Sequence, residues 1–235
     1  ILLKKLNLLK LKSPRLNDWK RVVDAKLNPK KKVSIAVVGK YVDLKDSYKS
    51  LNEALDHAGI VNLAKVDIQM IDAAKITKTN VSKILKSFQA VLVPGGFGSR
   101  GIEGMIYACQ FARENKLPYF GICLGMQIAI IEFSRNILKL KNANSTEFNT
   151  KTKHPVIGLV TEWKDASGKT EHRSERSDLG GTMRLGGQQC LIKKSSLSHK
   201  LYKKITITER HRHRYEVNPE YKNELIAGGM DIVGT

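Results

Sequence analysis

The sequence predicts an α/β fold: a mostly parallel central sheet with helices on both faces, and additional antiparallel strands in the second half. Three observations carry that expectation. Short apolar runs bounded by turn residues, "VSIAVVGKY", "AKVDIQMID" and "AVLVPGG", read as buried strands. Segments with helical spacing lie between them, and strand–helix alternation over short connections produces a parallel sheet. Further along, "HPVIGLVTEW", "TMRLGGQQCLIKK" and "ITITERHRHRYEVN" are longer and more polar, and read as strands that decorate this sheet.

Taken in order, residues 1–32 look like a flank, alternating Leu with Lys and broken by Pro14 and Pro29. Within it "LNDWKRVVDAKLNP" fits a short helix, started by Asn17 or Asp18 and ended by Pro29. The flank reads as a linker from something upstream. After the strand at Val33, "DSYKSLNEALDHAG" predicts a helix with Ser47 as its cap, Leu51 and Leu55 on one face and Gly59 as its stop. A second strand in "AKVDIQMID" leads to a short helix in "NVSKILKSF". A third strand then ends in the glycine turn of "AVLVPGG". A helix from about Glu103 to Asn115 and the strand "PYFGI" complete the alternating part.

The chain of 235 residues suits one large domain or one domain with appendages, and its 41% hydrophobic and 27% charged content is that of a globular protein. No apolar run approaches a membrane span and no signal-peptide pattern is present. Cys109, Cys123 and Cys190 form no CxxC pair and no metal-ligand spacing. Such a sparse, odd set fits the reducing cytoplasm and at most one working thiol, with no metal. The net charge of +19 raises nucleic-acid binding as a reading. Lysine-rich solvated faces account for it better, because no nucleic-acid fold motif accompanies the charge.

Gly121-Ile122-Cys123-Leu124-Gly125 follows one strand and opens a helix, the context of a nucleophile elbow with Cys in the place of Ser. A sharp strand-to-helix turn strains its central residue and needs neighbours without bulk, which the glycines supply. The helix N-terminus is expected to lower the thiol pKa. Attack on an acyl carbon creates an oxyanion, which needs preorganised donors. In "VLVPGGFGSRG" the backbone N–H groups of Gly96 and Phe97 are the candidates, since that loop leaves the same sheet edge.

At these residues the sequence resembles the class I (triad) glutamine amidotransferases, through "VPGGFGSRG" and "GICLGMQ". "VGKYVDLKDSYKS", "NANSTEF", "SERSDLGGTMRLG" and "ERHRHRYEVNP" narrow the resemblance to the glutaminase domains of the CTP synthase family, over nearly the whole chain. The resemblance implies that a cysteine thioester forms from L-glutamine and releases ammonia. The ammonia then reaches a separate synthetase domain, where ATP and Mg support amination of UTP to CTP and GTP activates glutamine hydrolysis. It implies no cofactor in this domain, a homotetramer at full length, residues 1–32 as the linker from a missing synthetase domain, and 33–235 as the amidotransferase domain.

By the same resemblance Cys123 is the nucleophile, with Gly96 and Leu124 as backbone donors beside Phe97. Gln127 contacts glutamine, Glu147 holds its ammonium, and Arg214 holds its carboxylate with Tyr215 alongside. One anion and one cation are what a zwitterionic amino acid requires, and Arg binds a carboxylate bidentately. Arg100 and Glu103, after the oxyanion loop, and Thr182 and Arg184, in "LGGTMRLGG", are candidates for the GTP response.

One family feature is not found in the sequence: the His-x-Glu pair of a "FHPEF"-like segment, whose histidine is the general base. The six histidines do not match it, and the sequence stops before the expected position. A shortened polypeptide, part of a longer protein, or a true loss of the dyad would each account for this. The expectation is that the 235-residue polypeptide alone hydrolyses glutamine slowly or not at all. The alternatives are another class I amidotransferase, such as one feeding GMP or anthranilate synthesis, and an inert scaffold.

Overall fold

The computed structural model describes residues 2–6, 15–42, 44, 46–159, 162–164, 170–172 and 184–235. After a single turn, α1 (Leu2–Lys5), come α2 (Asn17–Leu27), β1 (Lys31–Gly39), α3 (Lys49–Val61), β2 (Ala64–Asp72), α4 (Val81–Leu85) and β3 (Ala90–Val93). α5 (Ile102–Glu114), β4 (Tyr119–Gly121) and α6 (Leu124–Asn136) follow. Strands β1 to β4 form one parallel sheet in the order β2-β1-β3-β4, with Ile35 opposite both Ile68 and Ala90, and Leu92 opposite Phe120. This is the predicted α/β arrangement.

Side-chain alternation explains why both faces are covered. Ala36, Val38, Val91 and Val93 point one way into a buried cluster with Leu85 of α4, Met105 and Ile106 of α5, and Ile128 and Ile131 of α6. Val37 and Leu92, between them in sequence, point the other way and are also buried. A strand buried on both sides must be apolar at successive positions, which is why "IAVV" has no polar alternation.

The predicted helix after β1 exists, but its ends differ. Tyr48, not Ser47, is the cap residue, and its side chain makes no capping bond; the helix runs past Gly59 to Val61. Gly59 is buried inside α3, where a Cβ would meet the Ala64 carbonyl and the Val66 side chain. The glycine serves close helix–strand approach, and its sequence signal cannot be told from that of a stop.

The second half holds β5 (Asn144–Ser145), β6 (Pro155–Leu159), β7 (Glu162–Lys164), β8 (Thr170–His172), β9 (Arg184–Leu191), α7 (Leu197–Tyr202), β10 (Thr206–His213), β11 (Tyr215–Val217) and α8 (Lys222–Ala227). Antiparallel pairing is present, as predicted, in β9–β10, β6–β11 and β7–β8. These strands do not join the central sheet, however; they form small sheets of their own. "ITITERHRHRYEVN" also divides at Arg214, so that β10 pairs with β9 while β11 turns to β6.

Two ion pairs fasten α6 across α5. Arg113 forks onto the buried Glu132 carboxylate at 2.7–3.0 Å, and Asn136 donates to the same group at 2.9 Å. Arg135 reaches back to Glu103 at 2.9 Å and also donates to the Ala143 carbonyl. The first pair buries its carboxylate and is geometrically specific; in the second the Glu103 carboxylate is exposed, so that pair contributes little to stability.

Candidate active site

In the order β2-β1-β3-β4 the chain leaves β1 towards one side and β3 towards the other. A parallel sheet opens a crevice at such a point, outside the carboxyl ends of the strands. Lys40 follows β1 directly, the loop of residues 94–101 follows β3, and Cys123 lies just beyond β4. The sheet order thus gathers three segments that are far apart in sequence.

Cys123 has φ 54° and ψ −105° and is the residue immediately before α6. That backbone conformation is unfavourable for a residue with a Cβ and is sustained by what surrounds it. Gly121 is pressed on the Gly125 carbonyl group and Gly125 on the Val93 carbonyl, so a side chain at either would collide with backbone. The elbow predicted from the two glycines is present, and both glycines are required by close approach.

The expected sign of the thiol pKa is overturned. Burial raises the Cys123 pKa above its ordinary value, an N–H bond from Leu124 opposes this, and the Glu147 carboxylate raises it further. Desolvation outweighs the helix terminus, and the neighbouring charge disfavours a thiolate. Alkylation of Cys123 by iodoacetamide, followed by peptide mass spectrometry, should therefore accelerate at higher pH than for an ordinary thiol. Glu147→Gln should move the midpoint down, because it removes a repelling anion. A wild-type midpoint below the ordinary thiol range would contradict this account.

Gly95 lies against Cys123, where an added Cβ would stand 3.6 Å from the cysteine Cβ, and Gly96 faces Leu124 and the Lys40 stem. The loop therefore touches both the elbow and the lysine. The buried Lys40 donates to the Phe97 carbonyl at 2.9 Å and to the Gly98 carbonyl, with its ammonium 5.9 Å from the Phe148 ring centroid. The Gly98 N–H donates to Glu147 Oε1 at 2.8 Å. Sequence reasoning missed Lys40. The available signal was a lysine closing an otherwise apolar strand at the switch point.

On the other side, the buried Gln127 donates to the Tyr215 carbonyl at 3.0 Å, fastening α6 to the segment that carries Arg214. The Tyr215 hydroxyl is shifted up by burial and by Glu147, and down by Arg214, so these three groups share one electrostatic neighbourhood. Arg214 Nε is buried without a hydrogen-bond partner among the described residues. An unmet guanidinium donor beside a carboxylate-bearing loop suits a ligand with a carboxylate of its own.

Leu124 is buried at the start of α6, its N–H directed at the thiol. The other sequence candidates stand in ion pairs: Arg100 with Asp72 at 3.4 Å, Glu103 with Arg135, and Arg184 with Glu216 at 3.4 Å. Thr182 lies outside the described residues. Among the described residues no cluster of three or more His, Cys, Asp or Glu side chains could hold a metal ion, and no helix is long and apolar enough to cross a membrane.

The glutamine amidotransferase class-I family model matches residues 43–235. Among solved structures, the chain is similar to the glutaminase domain of Trypanosoma brucei CTP synthase with bound acivicin. The two are 38% identical and superpose with a TM-score of 0.74, over 86% of this chain and 74% of that one. With an elbow cysteine at the carboxyl edge of a parallel sheet and a family match over most of its length, this chain belongs to the class I glutamine amidotransferases.

Proposed function

We propose that this chain is the glutaminase part of a CTP synthase, which cleaves the side-chain amide of L-glutamine and hands ammonia to a synthetase domain that aminates UTP. The observation that carries the reading is the convergence on Cys123 of the glycine loop and Glu147, with Arg214 in the same neighbourhood. A cysteine nucleophile, an anion and an unmet guanidinium donor together fit a zwitterion with an amide at its far end.

In this chemistry the thiolate attacks the amide carbon. N–H groups of the 96–97 peptides and Leu124 bind the oxyanion. Ammonia departs with the thiol proton, and water cleaves the thioester to glutamate and free thiol. Glu147 and Arg214 hold the substrate's ammonium and carboxylate. ATP, Mg and UTP belong to the synthetase domain. GTP is proposed as an activator, with Arg100, Glu103, Thr182 and Arg184 as its candidate contacts.

Acivicin, which the trypanosomal domain binds, provides the test. It should add to Cys123 as read by intact-protein and peptide mass spectrometry, and L-glutamine should protect while D-glutamine does not. Absence of any Cys123 adduct would reject the glutaminase reading. It would favour an inert scaffold that keeps the fold.

A further inference from the structure

We propose that Lys40 is a positioning residue for the loop facing Cys123, holding the carbonyl of the Phe97–Gly98 peptide while Glu147 holds the N–H of that same peptide. This deepens the glutaminase reading and rests on it for its catalytic consequence. A planar trans peptide directs its C=O and N–H in opposite directions. With a cation on one end and an anion on the other, rotation of the peptide breaks two charge-assisted bonds together. The second carbonyl taken by Lys40, that of Gly98, secures the next peptide as well.

Gly98 has φ +74°, and a Cβ there would have nothing within 4 Å. Packing therefore does not define this stretch, and hydrogen bonds must. Gly96 rests on the Lys40 stem, so the same side chain supports the loop sterically and by charge. The Tyr48 hydroxyl anchors the root of the lysine by accepting from the backbone N–H groups of Lys40 and Tyr41.

The groups facing the ammonium are Glu147 from the 145–148 segment and Arg100 from the loop itself, with Cys123 beyond the glycine pair. Burial brings Lys40 down to about 8, Glu147 opposes that shift and Arg100 adds to it. A lysine whose pKa is lowered carries its charge below that value and loses it above. The hold on the peptide therefore weakens as pH rises through about 8. Over the same range the thiolate population of Cys123 grows, so the two effects oppose each other.

The test compares wild type, Lys40→Met and Lys40→Arg in the purified chain, with a thermal melt to confirm folding. Two readouts are used: hydrogen exchange at the Gly98 amide by NMR, and the limiting rate and half-saturation of acivicin addition to Cys123 against pH. In Lys40→Met the Gly98 amide should exchange at least about tenfold faster, and the limiting rate should fall about tenfold or more with little change in half-saturation. In wild type the labelling rate should flatten above about pH 8. In Lys40→Arg, which stays charged, it should keep rising. Unchanged Gly98 exchange in Lys40→Met overturns the proposal whatever the labelling does. An unchanged limiting rate in a protein that is labelled also overturns it. If wild type is not labelled at all, the glutaminase reading fails and Gly98 exchange alone decides the role of Lys40.

Discussion

Cys123→Ala is expected to abolish acivicin addition while leaving the protein folded, and, in a protein that also carries the catalytic base and the synthetase domain, to lower glutamine-dependent turnover by at least about a thousandfold. Alanine keeps a Cβ at φ 54°, so the elbow retains its strain and its geometry. The melting temperature should stay within about 2 °C, since only one half-buried sulfur is removed. Cys109 offers no substitute, because burial and the Glu132 carboxylate push it up to about 12. Ammonia-dependent amination, assayed in the presence of the synthetase domain, should persist. Glutamine turnover that survived the substitution would exclude a thioester at residue 123.

Gly125→Ala should be among the most damaging single methyl additions in the fold. The new Cβ would run into the Val93 carbonyl, and Val93 closes β3 directly before the loop at residues 94–101. Backbone on both sides prevents relief by rotamer change, so the helix must lift from the sheet. We expect a loss of about 3 kcal/mol or more, equivalent to a melting temperature lower by roughly 6–12 °C. Gly158→Ala is the control, because nothing lies within 4 Å of a Cβ there, and it should be nearly silent. Equal melting temperatures for the two variants would show that the elbow is not packed as described.

The alternating half of the fold was legible because its strands are buried on both faces and therefore continuously apolar. The elbow was legible because two glycines two residues either side of a cysteine have few other uses. Other features depend on groups distant in sequence. Gly59 reads as a helix stop, yet it exists for the approach of Ala64. Lys40 reads as the end of a strand until β3 brings two carbonyls to it. The sign of the Cys123 shift turns on burial and on Glu147, which lies 24 positions away and is brought near only by the fold. The polar strands gave their pairing sense but not their partners, because a half-exposed strand does not reveal which sheet it will join.

The crossing of α5 and α6 bears on how the crevice breathes. The loop of residues 94–101 feeds the first of these helices and the elbow feeds the second, and the two are tied both by the Arg113–Glu132 fork and by Arg135–Glu103 at the start of α5. Two helices tied at two points move as one body. Thermal opening around the thiol should thus be a collective event of the interior, drawn from the slow, high-energy part of the fluctuation spectrum rather than from fraying at the surface.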